Sequence, residues 1–159
     1  MLFKEIPGHA DVKERLIRSI NEERVSHAQL FLGQSGSGSL ALAVAYAQYL
    51  NCTNRIDNDS CGECGSCRKY NKLIHPDLHF SYPIIAKKAE DVSTVYIKEW
   101  REAMLETPYM DLEEWTMKLA AENKQPNINI AECHDIIKRL SYKSFESEYK
   151  VLIMWLPEF

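Results

Sequence analysis

Four of the five cysteines of this sequence crowd into one short segment, Cys52-x8-Cys61-x2-Cys64-x2-Cys67, and Cys133 stands alone. Zn²⁺ takes four thiolates tetrahedrally, and two-residue spacers let successive sulfurs reach one ion from a single turn or knuckle. A shell of four thiolates is closed, so the expected site is structural, with no open position for water. The clustering favours metal over disulfides in a cytosolic chain. An iron–sulfur cluster and free thiols are the alternatives. A bacterial ferredoxin run needs a further Cys at position 71 followed by Pro, and Asn71-Lys72 stand there. His27, His75 and His79 read as packing or turn residues beside so complete a ligand set. Arg68, Lys69 and Lys72 either offset the anionic thiolates or form a solvated helix face. Cys133 reads as a small buried hydrophobe on the last helix.

A second pattern is the segment Gly33-Gln-Ser-Gly-Ser-Gly-Ser39, which carries Gly33, Gly36 and Gly38. A phosphate-binding loop needs glycines so that backbone N–H groups converge on phosphates, a Lys for the β and γ charges, and a hydroxyl for Mg²⁺. Gly33 and Gly38 have the required spacing, yet Ser39 occupies the Lys position and Leu40 the hydroxyl position. The other reading is a plain Gly/Ser turn. The last apolar run, Val151-Leu-Ile-Met-Trp155-Leu156-Pro157-Glu158, carries a matching defect: Trp155 and Leu156 stand where ATPases of this kind place acids for Mg²⁺ and water. Without Lys, hydroxyl and Asp the charge stabilisation of phosphoryl transfer is absent, so no ATP cofactor and no hydrolysis are expected.

The elements that must position these residues follow from periodicity. Val12, Leu16, Ile17 and Ile20 recur at helical spacing and predict an amphipathic helix from Ala10 to about Arg24. Ala28 to Leu32 is a short apolar run stopped by Gly33, the pattern of a buried strand entering a tight turn. Leu40 to Leu50 is Ala-rich and predicts a helix. Strand, glycine loop and helix open a nucleotide-binding α/β fold. Leu78 to Tyr82 predicts a second strand after His75-Pro-Asp77. From about Ala86 to Asn127 an inserted helical hairpin is expected, with Ile97, Trp100, Met104 and Leu105 on one face, Leu112, Trp115 and Leu119 on another, and Thr107-Pro108 between them. Its tryptophans read as core. Asn129 with Glu132 resembles a capping box for a helix to about Leu140, with Ile136, Ile137 and Leu140 on its apolar face. Lys150 to Leu156 predicts a last strand, apolar on both faces as a central parallel strand should be. No internal repeat is found.

The 159 residues weigh 18.4 kDa, which allows one ordinary domain or part of something larger. Such a chain is expected to bury roughly 68 to 70% of its unfolded surface, and 45% hydrophobic with 26% charged residues is ordinary globular composition. A net charge of −4 argues against a domain that grips a phosphate backbone through its overall field. No signal peptide or long apolar stretch is seen, and a cytoplasmic protein without a membrane partner is expected.

Ile6-Pro-Gly-His9, Ser26-His-Ala-Gln-Leu-Phe-Leu-Gly33, Asn51-Cys52 followed by Cys61-Gly-Glu-Cys-Gly-Ser-Cys67, His75-Pro-Asp77 and Lys150-Val-Leu-Ile153 resemble the N-terminal AAA+ domain of bacterial DNA polymerase III clamp-loader subunits. The likeness covers most of the chain outside about Ala86 to Asn127, where it departs from the family pattern. Its delta-prime branch is the nearest, because gamma/tau subunits keep the Lys, the Thr and the acidic pair. The resemblance implies a zinc module at 52–67 with Cys52, Cys61, Cys64 and Cys67 as ligands. It also implies a non-hydrolysing stator that supports loading of the sliding clamp during DNA replication. Such a stator holds ATPase subunits in an open ring, with gamma/tau and delta as partners and DNA reached only through the complex. The family's Ser-Arg-Cys motif lies beyond Phe159.

The expected architecture is therefore an α/β, P-loop AAA+ type parallel sheet with flanking helices. Residues 1–159 make the N-terminal part of such a domain, truncated, with the zinc module at 52–67 and the helical insertion at 86–127. The competing readings are an active gamma/tau-type ATPase and a stand-alone zinc-binding interaction module. The resemblance also implies strand order 5-1-4-3-2, in which a fourth strand would separate Ala28–Leu32 from Lys150–Leu156. The gap is expected to close by direct pairing of those two strands, or to recruit a second copy through one of them.

Overall fold

The computed structural model describes residues 1–120 and 124–159; residues 121–123 of the expected insertion lie outside the described residues. Among the described residues, with single 3-10 turns at Phe3–Glu5 and Ser93–Tyr96, six α-helices and two short strands follow one another. They are α1 (Ala10–Asn21), α2 (Ser39–Leu50), α3 (Gly65–Tyr70), β1 (Leu78–Ser81), α4 (Ile97–Glu106), α5 (Leu112–Lys118), α6 (Ile130–Ser141) and β2 (Val151–Met154).

The central element is α2. Its alanines make a helix thin enough to be covered on two sides, and Leu40 to Leu50 are buried with the exception of the half-buried Ala43. Leu40, Val44 and Ala47 face a cluster built from Tyr70, Leu73, Leu78, Phe80, Tyr82 and the side chains of α4 and α5. Ala41, Leu42, Ala45, Tyr46 and Tyr49 face a second cluster made by Phe3, Ile6 and Ile20, onto which α1 lays Val12, Leu16 and Ile17. Helix α1 stops at Asn21, short of the expected Arg24, because Glu23 adopts a left-handed conformation and the N–H of Arg24 turns back to the carbonyl of Ser19.

Strands β1 and β2 pair in parallel, in the register Leu78↔Val151 to Ser81↔Met154. Their adjacency agrees with the order implied by the resemblance. The rest of the expected sheet does not form among the described residues. Ala28 to Leu32 is not a strand, and Leu30 and Leu32 are 76% and 85% exposed. A cleft of about 500 Å³ separates this segment from β2, lined on one side by Gln29 to Gly33 and on the other by Tyr149 to Glu158. The two segments therefore do not pair with each other. A strand exists only when a neighbour takes its backbone hydrogen bonds, and no described residue does so across the cleft. For the same reason β2 is an edge, with Met154 exposed, and not a central strand buried on both faces.

Helices α4 and α5 stand on either side of the Thr107-Pro108 break, and Asp111 opens α5 with a reciprocal capping box to Glu114. Their tryptophans form one aromatic group. Trp100 stacks on Tyr82 at 4.0 Å, and Trp115 stands edge-on to both at 5.2 and 5.3 Å. The indole N–H of Trp115 donates to the carbonyl of Pro83 at 2.8 Å. In α6 the capping expectation is half met. Asn129 accepts the N–H of Glu132, but the Glu132 carboxylate turns inward instead of back to Asn129. It is buried and accepts from the N–H and hydroxyl of Ser93 at 2.6 and 2.7 Å, tying α6 to the segment before α4. Ile137, Leu140 and Cys133, expected on a covered face, are exposed. The periodicity is helical, but the described residues place nothing over that face.

Candidate functional site

The four clustered cysteines are brought together by two local devices. Cys52 leaves the C-terminal end of α2 and is followed by a turn in which Ile56 and Asp59 bond to each other. Cys64 is the N-cap of α3 and Cys67 lies in its first turn, so the Cys-x2-Cys spacing wraps both sulfurs around one helix start. Asp59 fixes the lobe to the chain start by accepting the N–H groups of Phe3 and Lys4 at 3.0 Å.

The four Sγ atoms lie within 4.8 Å of one another, with 3.7 Å between Cys52 and Cys61 and 3.9 Å between Cys61 and Cys67. No disulfide is present among them, and a disulfide would need about 2.05 Å. A tetrahedral Zn²⁺ with Zn–S of about 2.3 Å sets its sulfurs just under 4 Å apart, so the donor set and its spacing fit the ion. Backbone N–H groups of Cys61, Cys64 and Cys67 point at the sulfurs of Cys52, Cys61 and Cys64 at 3.3 to 3.4 Å, as they do around thiolates. At Cys64, burial favours the thiol. The Thr53 hydroxyl and the N–H groups of Cys67 and Thr53 outweigh burial and bring its pKa down to about 6. At Cys52 and Cys67 burial prevails and raises the pKa.

Among the described residues no histidine joins the cluster. His27 is exposed beside the cleft and His79 is half-buried on β1. Of the basic residues that follow, Arg68 donates to the carbonyl of Glu63 at 2.7 Å and Lys69 pairs with Glu146.

The His75-Pro-Asp77 run has a function that periodicity did not show. Asp77 is buried and its carboxylate accepts the N–H groups of Phe145, Glu146 and Ser147 at 2.5 to 2.9 Å. His75, its ring tilted against Tyr70 at 4.7 Å, accepts the N–H of Asp77 at Nδ1 and meets Ser147 and Glu146 at Nε2. Together they fasten the turn that delivers the chain into β2. Burial lowers the His75 pKa, against the attraction of Glu146 and Asp77. Burial alone would raise the Asp77 pKa, but the three backbone N–H groups hold it below its ordinary 3.8. For His75 the unfolded chain binds the proton more readily, so its contribution is lost as pH falls below the ordinary 6.5. For Asp77 the contribution is present above 3.8 and is lost as pH falls through the lower folded value. Stability is thus expected to decline in two stages on acidification. Urea titrations from pH 7.5 to 2 should show Asp77→Asn removing the lower stage and, by taking away a charge that attracts the His75 proton, enlarging the upper one; an unchanged profile would contradict the assignment.

The glycine loop lies where the sequence placed it, at the start of α2. Gly36 and Gly38 have φ of +75° and +88°, Gly38 being the N-cap, and the N–H of Ser37 closes a turn on the carbonyl of Gln34 at 3.0 Å. A Cβ at Gly33 would lie 2.2 Å from the Ser37 hydroxyl, which would have to rotate away, and 3.3 Å from Ser37 Cβ, so a side chain there would crowd the loop's first turn. Gly33, Ser39 and Leu40 line the cleft, and Leu40 is also part of the core cluster. Trp155 packs on Trp100 at 5.4 Å.

The family model described as DNA polymerase III, delta subunit, matches residues 8–158. The chain belongs to this family. Over 81 residues it is 36% identical to DNA polymerase III subunit delta' of Bacillus subtilis, covering 50% of the chain and 24% of that protein. The delta' subunit of Yersinia pestis is 35% identical over 81 residues, 51% of the chain and 24% of the relative. The tau/gamma subunit of Haemophilus influenzae is 32% identical over 76 residues, 48% of the chain and 11% of the relative. The chain thus spans a quarter or less of the length of these relatives. Its place among clamp-loader subunits of the delta' type is supported by the family match and by both delta' relatives. No helix among the described residues is long and apolar enough to cross a membrane.

Proposed function

We propose that the chain is the AAA+ N-terminal part of a non-hydrolysing clamp-loader subunit, which supports sliding-clamp loading by binding gamma/tau and delta subunits in the cytoplasm and reaches DNA only through them. The observation that carries this reading is the family match combined with Ser39, Leu40 and Trp155 at the positions that would hold Lys, hydroxyl and acid. Cys52, Cys61, Cys64 and Cys67 would hold one Zn²⁺, which supplies a cross-link between the end of α2 and the start of α3 and no reaction step. Purified protein is expected to show no ATP turnover. Turnover that disappears on Gly38→Ala would overturn the reading. The match to tau/gamma relatives favours a second reading, a gamma/tau-type ATPase, which the same assay separates.

The free edge of β2 and the exposed Leu30 and Leu32 support a further element of the proposal, self-association of this 159-residue chain across the cleft. Light scattering is expected to give a concentration-dependent dimer that Leu152→Pro abolishes, since proline cannot donate to an added strand. A mass that stays monomeric at high concentration would rule this element out.

A further inference from the structure

The segment 86–127, read from the sequence as an insertion, makes contacts that bear on the glycine loop. Tyr109 lies in the turn between α4 and α5, where the N–H of Met110 closes on the carbonyl of Thr107 at 3.1 Å. Its ring rests on Gly38: a Cβ there would stand 2.9 Å from Tyr109 Cε1 and 3.4 Å from Cδ1. Its carbonyl oxygen is the nearest atom to Gly36, 3.9 Å from where a Cβ would be. Tyr109 joins the cluster of Phe3 and Ile6, whereas its neighbours Met104, Met110 and Trp115 belong to the other cluster, which also contains Leu40. Trp100 of α4 meets Trp155. His9 Nε2 also bonds to the loop, at the carbonyl of Ser37, at 2.7 Å.

We propose that the turn Thr107–Met110 is a built-in plug seated on the glycine loop, and that Gly38, Leu40 and Trp155, three positions bearing on nucleotide chemistry, have become the packing surface of α4 and α5. On this view Tyr109 takes the space that the bare backbone of Gly38 leaves open, which a phosphate would otherwise use. The proposal rests on reading Gly33–Ser39 as a phosphate loop. It gives the inserted helices a role: they brace the Gly36–Gly38 end of the loop, while Gly33 and Ser39 stay on the cleft.

The test uses the zinc-loaded 159-residue chain with Tyr109→Ala, Tyr109→Phe and Gly38→Ala. Hydrogen exchange of the amides from Gly36 to Leu40 is expected to rise at least tenfold in Tyr109→Ala, together with exchange in the turn, and to stay near the parent rate in Tyr109→Phe, which keeps the ring. Gly38→Ala should disturb the folding equilibrium about tenfold less when Tyr109 is already Ala, a coupling in the range of residues in contact. Additive effects, with loop exchange unchanged while the turn loosens, would overturn the plug. Binding of Mg-ATP by Tyr109→Ala and not by the parent would support the plug while refuting the claim that the loop's own chemistry is lost, so the two readings fail separately.

Discussion

Cys64→Ser is expected to release the metal and unfold the segment from Cys52 to Tyr70, the largest single-residue effect in the chain. Structural zinc in small modules contributes apparent binding energies of about 10 to 16 kcal/mol at neutral pH, and nothing else here is of that size. The segment has little else to hold it. Residues 53–58 are exposed, α3 is only six residues long, and isolated helices that short are not stable. The damage should spread along named bonds. Tyr70 is buried in the main cluster and its hydroxyl accepts from Asn51 at 2.8 Å, while Asp59 holds Phe3 and Lys4. Elemental analysis should give one zinc per chain in the parent and none in the variant, and a strong chelator should reproduce the variant's exchange pattern. Iron in place of zinc, or no stoichiometric metal in protein handled without chelators, would sink the assignment.

What the sequence made legible was whatever is decided locally. The cysteine spacing is met by one helix start and one turn, and the Ala-rich run from Leu40 to Leu50 carries a strong helix propensity of its own. Thr107-Pro108 interrupts helix geometry by its own sterics. What stayed hidden depends on neighbours. Ala28 to Leu32 has strand composition, but a strand is a property of a pair, and no described residue pairs with it across the cleft. Ile137 and Leu140 have the right period on α6, yet period alone says nothing about what covers a face. Glu132 has capping-box spacing and spends its carboxylate on Ser93, a residue far away in sequence that no local rule connects to it. Asp77 binds a turn nearly seventy positions downstream.

Trp100→Ala should be the most damaging substitution outside the cysteines. The side chain is fully buried, stacked on Tyr82 at 4.0 Å, and touched by the rings of Phe80 at 5.8 Å, Trp115 at 5.3 Å and Trp155 at 5.4 Å. Truncating a buried Trp removes transfer free energy and leaves a cavity, together about 3 to 5 kcal/mol, against a typical total of about 5 to 15 kcal/mol. At roughly 2 to 4 °C per kcal/mol for a chain of this size, the melting temperature should fall by about 6 to 20 °C. Trp100→Phe separates ring packing from polarity. The indole N–H of Trp100 is buried and has no partner among the described residues, so phenylalanine removes that donor while it shrinks the ring. It should therefore cost clearly less than Ala. Chemical unfolding of parent, Ala and Phe forms measures both. An Ala variant within 1 kcal/mol of the parent would mean that α4 is not held by this ring. Because Trp100 also braces Trp155 after β2 and shares its cluster with Leu40, the Ala variant should loosen β2 and the glycine loop together; a loss confined to α4 and α5 would show that the inserted helices fold apart from the sheet they cover.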